Sequence, residues 1–205
     1  MSRSDVSICN MALGFLGADL MISLGDGTTE ANLCTTYYEP ARDALLELRD
    51  WSFARKIVRM VPSATPPDFG FTNYFVLPAD LLTIRRVGTT QYFNDISMPW
   101  ERHSDQIAAD AAVIYCKYTR KVVDPLKFSE LFSLALAARL ATYMAMPLTQ
   151  DRMKLQDMNT LLERYMMEAQ STDGMQEPQE KLRKGPLINL RRTGVYPYDF
   201  YNVTS

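Results

Sequence analysis

His103 is the only histidine in the chain, and it sits beside Arg102 with no serine or cysteine motif nearby to act as a nucleophile. Proton transfer at neutral pH falls first to histidine, so this isolation in a short β-like stretch reads as a surface or loop side chain. Asp43, Glu47 and Asp50 recur at a spacing that puts three carboxylates on one helix face, the way a hard metal ion is held. Arg42 and Arg49 interleave with them and no histidine joins at ligand spacing, so a solvated face laced by i, i+4 pairs is expected instead. Gly25-Asp26-Gly27 reads as a turn, because no phosphate-cradling glycine pattern surrounds it. Cys9, Cys34 and Cys116 are odd in number, far apart and without a CxxC. With no secretory leader at the N-terminus, free thiols in a reducing compartment are expected, and the sequon at Asn202 is read as accidental. No catalytic residue, metal site or cofactor follows from these residues.

Binding is better represented than catalysis. Lys181, Arg183, Lys184, Arg191 and Arg192 form the one basic concentration, a pattern that suits either phosphate or an acidic protein surface. Leu187, Ile188 and Leu190 lie inside it, which favours protein. Tyr196, Tyr198, Phe200 and Tyr201 follow. The expected interface therefore comprises Leu187, Ile188, Leu190, Arg191, Arg192, Tyr196, Tyr198, Phe200 and Tyr201. At 205 residues, 47% hydrophobic and 22% charged, the chain is long enough for one core, or a core with a small satellite. Its net charge of −2 gives no global attraction to nucleic acid or to an anionic membrane, so any basic surface is local.

The elements that must position these residues centre on 129–146, apolar almost all the way round a helix, with only Glu130 and Arg139 charged. Ser129 is its expected N-cap, after a separate turn at Asp124-Pro125. Arg139 in mid-helix would cost roughly 2.5 kcal/mol or more in hydrocarbon, and Pro147 is expected to end the run short of about 20 apolar residues, so it reads as a core helix. Thr149 is the expected cap of a second, amphipathic helix with Leu155, Met158, Leu162, Tyr165 and Ala169 on one face. Met144, Met146, Met153, Met158, Met166 and Met167 make this hairpin methionine-rich, mostly as core filling. Upstream, Ser4 caps a helix ending at Gly17, with Val6, Met11, Leu13 and Phe15 as core contacts. A longer helix from Thr29 carries Leu33, Tyr37, Ala41, Ala44, Leu45 and Leu48, with a kink or break expected at Pro40.

Between the two helical halves the period changes. Strands are expected after Trp51 and over 74–77, 82–87, 91–93, 100–103 and 112–119, separated by Pro, Gly, Asn and Asp. The fold class is thus α+β: a discontinuous helical bundle (1–51 and 124–171) with an inserted small antiparallel β unit (52–123) and an extended C-terminal arm (172–205). The arm holds three prolines and no sustained period, so its order is expected to come from assembly.

A helix running into Arg49-Asp50-Trp51-Ser52-Phe53 is followed by a strand ending at Pro62, then by Tyr74, Leu77-Pro78-Ala79-Asp80-Leu81-Leu82 and Ile84. Next come Asp124-Pro125-Leu126, the hydrophobic helix with its proline-marked end, and a second helix to about Gln170. This order resembles the tail tubular protein A family, the head-to-tail adaptors (connectors) of short-tailed bacteriophages. The resemblance covers nearly the whole chain and departs most in the arm. It implies a dodecameric ring bound beneath the portal protein, offering a platform to the tail nozzle (tail tubular protein B) and continuing the channel for genomic DNA. It further implies a virion neck protein made in the host cytoplasm, with no enzyme activity, cofactor or membrane partner. A ring of identical subunits needs two different complementary surfaces on each copy. The alternative readings are a nucleic-acid-binding module using the basic arm, and a small hydrolase.

Overall fold

Ser129 starts α3 (Glu130–Thr149) by accepting a hydrogen bond on its hydroxyl from the Phe132 amide at 3.2 Å. A computed structural model describes residues 4–93 and 98–175 of the chain. Within it α1 (Asp5–Leu16), α2 (Thr29–Leu48) and α4 (Arg152–Met175) all pack on α3. Five alanines, Ala135, Ala137, Ala138, Ala141 and Ala145, are fully buried there beside Phe132, Leu136, Leu140 and Met144. Small side chains on several faces let three helices approach one axis, while the large residues fill the gaps between them. By length and composition α3 is apolar enough to cross a membrane, but its apolar faces are met here by the other helices.

Two expectations at its end are corrected. Pro147 does not stop α3, which runs on to Thr149 before Gln150 turns left-handed (φ 52°) and returns its amide to the Met146 carbonyl at 3.1 Å. Pro147 is exposed, so water can serve the carbonyl one turn back that loses its amide partner. Thr149 therefore belongs to α3, its hydroxyl donating to the Ala145 carbonyl at 2.7 Å, and Asp151 caps α4 by accepting from the Met153 amide at 2.8 Å. Likewise α2 is a single element through Pro40, which is also exposed.

The core faces of α1 and α2 overlap the expected stripes at Leu13, Ala41 and Leu45 and are otherwise rotated from them. Buried on α1 are Ile8, Cys9, Ala12, Leu13 and Leu16, while Val6, Met11 and Phe15 flank them half-buried. On α2 the buried set is Ala31, Cys34, Tyr38, Ala41, Arg42, Leu45 and Leu46, and Leu48 is exposed. Alanine and cysteine share these buried faces with larger side chains, because α1 and α2 pack closely on an α3 that already has helices on several sides. Cys34 Sγ, for example, lies 3.7 Å from Met144 Sδ. A search for large aliphatics misplaces such a face.

The β unit forms two antiparallel three-stranded sheets. One has the order β1-β6-β3, from β1 (Arg55–Met60), β6 (Ile114–Arg120) and β3 (Leu81–Gly88). The other has the order β2-β5-β4, from β2 (Asn73–Val76), β5 (Gln106–Ala109) and β4 (Trp100–His103). A second core of Met60, Phe75, Val87, Ile107, Ala109, Ile114, Cys116 and Tyr118 lies within this unit. The stretch 91–93, expected as a strand, is a turn ending at Phe93 with φ 51°. Strand β5 was not anticipated, because Gln-Ile-Ala-Ala has only one strong strand former.

The end of α2 joins the two cores. Its last carbonyls have no intrahelical donors, and no glycine follows to close it with a left-handed cap. The Trp51 indole donates to the Leu45 carbonyl at 2.8 Å instead. The Arg85 guanidinium, reaching from β3, donates to the carbonyls of Leu46, Glu47 and Arg49 at 3.2, 2.8 and 2.6 Å, and to the Thr119 hydroxyl at 2.7 Å. Asp50 then holds Arg55 of β1 at 3.0 Å and Lys117 of β6 at 2.6 Å. The Arg49-Asp50-Trp51 stretch is thus a junction in which the Asp50 and Trp51 side chains and the Arg49 carbonyl each hold a partner.

Candidate interaction surface

Two of the three carboxylates that resembled a metal set, Asp43 and Asp50, are taken up by separate cations. Asp43 takes the nearly buried Arg42 at 2.8 Å and Lys121 at 3.1 Å, Lys121 also meets Glu39, and Asp50 serves the strand cations. Burial raises the Asp50 carboxyl, but the hydrogen bonds from Lys117 and Arg55 outweigh it and leave it below the usual carboxylate range. No group of three or more metal-ligating side chains occurs among the described residues.

His103 is more engaged than its sequence context indicated. Its Nδ1 lies 3.0 Å from the Tyr74 hydroxyl and its Nε2 lies 3.2 Å from a Glu101 carboxylate oxygen. The register explains the reach: Tyr74 and Glu101 both pair with Ala108, whose methyl leaves the middle strand low enough for Tyr74 to cross to β4. Glu101 and His103 share a strand face by alternation, which was readable; the partner Tyr74 was not. Glu101 is well exposed, so this chain of contacts ties β2 to β4. Cys9, Cys34 and Cys116 are buried free thiols, and burial pushes Cys116 up to about 12, away from thiolate chemistry.

Three surface features remain. The loop 18–28 is firmly held although much of it is exposed. The Asn10 side chain donates to the Met21 carbonyl (2.9 Å) and accepts from the Met21 amide (3.0 Å), sinking Met21 into the helical core. One Asp26 carboxylate oxygen accepts from the amides of Ile22 and Ser23, both at 2.8 Å, and Gly27 makes the closing turn at φ 72°. Leu20 and Ile22, on either side of Met21, are thrust outward and are 65% and 91% exposed. In the β unit, a groove of about 380 Å³ is walled by Val58, Met60, Val61, Pro62, Val76 and Pro78 beside Arg59. A cleft of about 310 Å³ lies where α3 begins and α4 ends, lined by Phe53, Phe128 and Leu131 and by Lys127 and Asp173.

That cleft also corrects the start of the arm. Helix α4 runs through Ser171 to Met175, because Asp173 accepts from both the amide (3.1 Å) and the hydroxyl (2.5 Å) of Ser52 and so fastens the last turn to the junction. The expected interface at Leu187, Ile188, Leu190, Arg191, Arg192, Tyr196, Tyr198, Phe200 and Tyr201 lies outside the described residues, as do Lys181, Arg183 and Lys184. Compared with known proteins, the chain matches no family model and no curated protein.

Proposed function

We propose that this chain is the subunit of a phage head-to-tail adaptor: a ring, dodecameric by the family resemblance, seated between the portal protein and the tail nozzle and continuing the DNA channel. The observation that carries the reading is the junction at the end of α2, where Arg85, Trp51 and Asp50 lock the helical layer to the β unit. A connector must hold its two ends in fixed relative orientation, and carbonyls capped from the other core together with a two-strand ion pair supply that rigidity. Exposed apolar residues on separate elements, Leu20 and Ile22 in the helical half and Val61 and Val76 in the β unit, suit a subunit that contacts neighbours through unlike surfaces.

Mass measurement of the purified protein alone, and again after mixing with a purified portal ring, tests this reading. A stoichiometric ring on the portal supports it; a protein that stays monomeric and unbound in both experiments overturns it. The basic stretch of the arm favours a second reading, a nucleic-acid-binding module. Duplex DNA affinity that is tight at physiological salt and falls steeply with added salt would favour that module over a conduit through which DNA slides.

A further inference from the structure

The loop 18–28 offers an apolar projection beside a carboxylate, and the β-unit groove an apolar recess beside a guanidinium. Leu20 and Ile22 form a two-pronged apolar knob whose backbone is already fixed by Asn10 and Asp26, so little entropy is lost when it is covered. Asp19 stands exposed next to Leu20, and neither it nor Arg59 makes an ion pair among the described residues. Six of the groove's eight lining residues are apolar, with Ser63 and Arg59 the others, and its volume of about 380 Å³ has room for two branched aliphatic side chains. Within one copy the two do not meet, since Leu20, Ile22, Val61 and Val76 all remain exposed.

We propose that the knob of one copy seats Leu20 and Ile22 in the Val58–Pro78 groove of the next, with Asp19 meeting Arg59, so that each subunit carries both halves of a head-to-tail self-contact. This rests on the ring reading and names the surfaces through which the ring closes. The knob and groove are different patches of one subunit, so the contact is heterologous and propagates from copy to copy. Apolar prongs in a preformed groove supply the anchor, and the Asp19–Arg59 pair at the edge selects the register.

The test uses the full-length chain, first with the double variant Ile22→Cys with Val61→Cys under mild air oxidation. The native cysteines are buried and do not compete. A ladder of covalent dimers, trimers and higher species on a denaturing gel is expected, whereas either single variant gives monomer. Absence of the ladder in a preparation that forms rings by mass overturns the contact while leaving the adaptor reading standing. A protein that is monomeric alone and with portal overturns both. Independently, Ile22→Asp is expected to weaken self-association roughly thirtyfold or more with an unchanged circular dichroism spectrum. Asp19→Arg should weaken it less and be rescued by Arg59→Asp. Ring mass insensitive to all of these changes, or rings lost without rescue by the charge reversal, would assign closure to other surfaces.

Discussion

Asp50 is one carboxylate serving cations from two strands, and its titration is a handle on the junction. Because its folded carboxyl lies below the ordinary value, the stability it contributes is fully present above about pH 4 and is lost as the pH falls through the lowered folded value. Asp50→Asn is therefore expected to cost about 1–2 kcal/mol at neutral pH and to flatten the acid limb of the stability curve, as read from urea midpoints across that range. Leu136, fully buried on α3, makes the simpler case. Leu136→Asp places an unpaired carboxylate in the apolar helical core, and a loss of several kcal/mol is expected in thermal or chemical unfolding. Wild-type stability in that variant would remove α3 from the centre of the core. At this scale the sequence was legible at several helix ends, where Ser4, Ser129 and Gly17 cap as their types and positions indicate, though not at Thr149, whose expected role falls to Asp151. It was silent where a partner comes from far along the chain, as for Arg85 with the α2 carbonyls or Tyr74 with His103.

Among the elements, the prolines show why local propensity misleads. Both Pro40 and Pro147 lie inside helices on exposed positions, where water can reach the carbonyl that loses its partner and tertiary packing on the opposite face holds the helix together. Pro40→Ala should consequently stabilise the protein, by about 1–3 kcal/mol, since it restores a backbone donor and disturbs no buried contact. A lower denaturation midpoint would mean that the proline shapes α2 in a way its neighbours require. The expected α+β class and the inserted antiparallel unit were readable from the change of period after Trp51. Strand β5 was not, since two alanines at buried positions carry no strand signal and are fixed only by pairing between β2 and β4. The extension of α4 to Met175 escaped notice for a related reason: Ser-Thr-Asp-Gly reads locally as a stop, and the bond from Asp173 to Ser52 across the fold overrules it.

For the molecule as a whole, the C-terminal residues carry a separable prediction. Deleting 186–205 should leave the helical core folded, since α4 is already anchored through Asp173, while abolishing attachment to a portal ring. Circular dichroism and co-sedimentation with the ring, performed on the same truncated protein, check the two halves. Loss of helicity would place those residues in the subunit's own core, and undiminished co-sedimentation would move docking to the described surface.

The placement of α3 in the chain also sets an order of events during synthesis. Helices α1 and α2 leave the ribosome more than a hundred residues before the helix whose sides they cover; Cys34 and Met144, in contact in the finished protein, are separated by 110 positions. The two sheets draw all their strands from the contiguous span between Arg55 and Arg120, with a core of their own, so they are able to close while both earlier helices still wait with bare apolar faces. A chain whose sheets close first carries a finished insertion inside an unfinished host. Any holding chaperone would engage the first fifty residues during that interval and release them as 130–149 emerges.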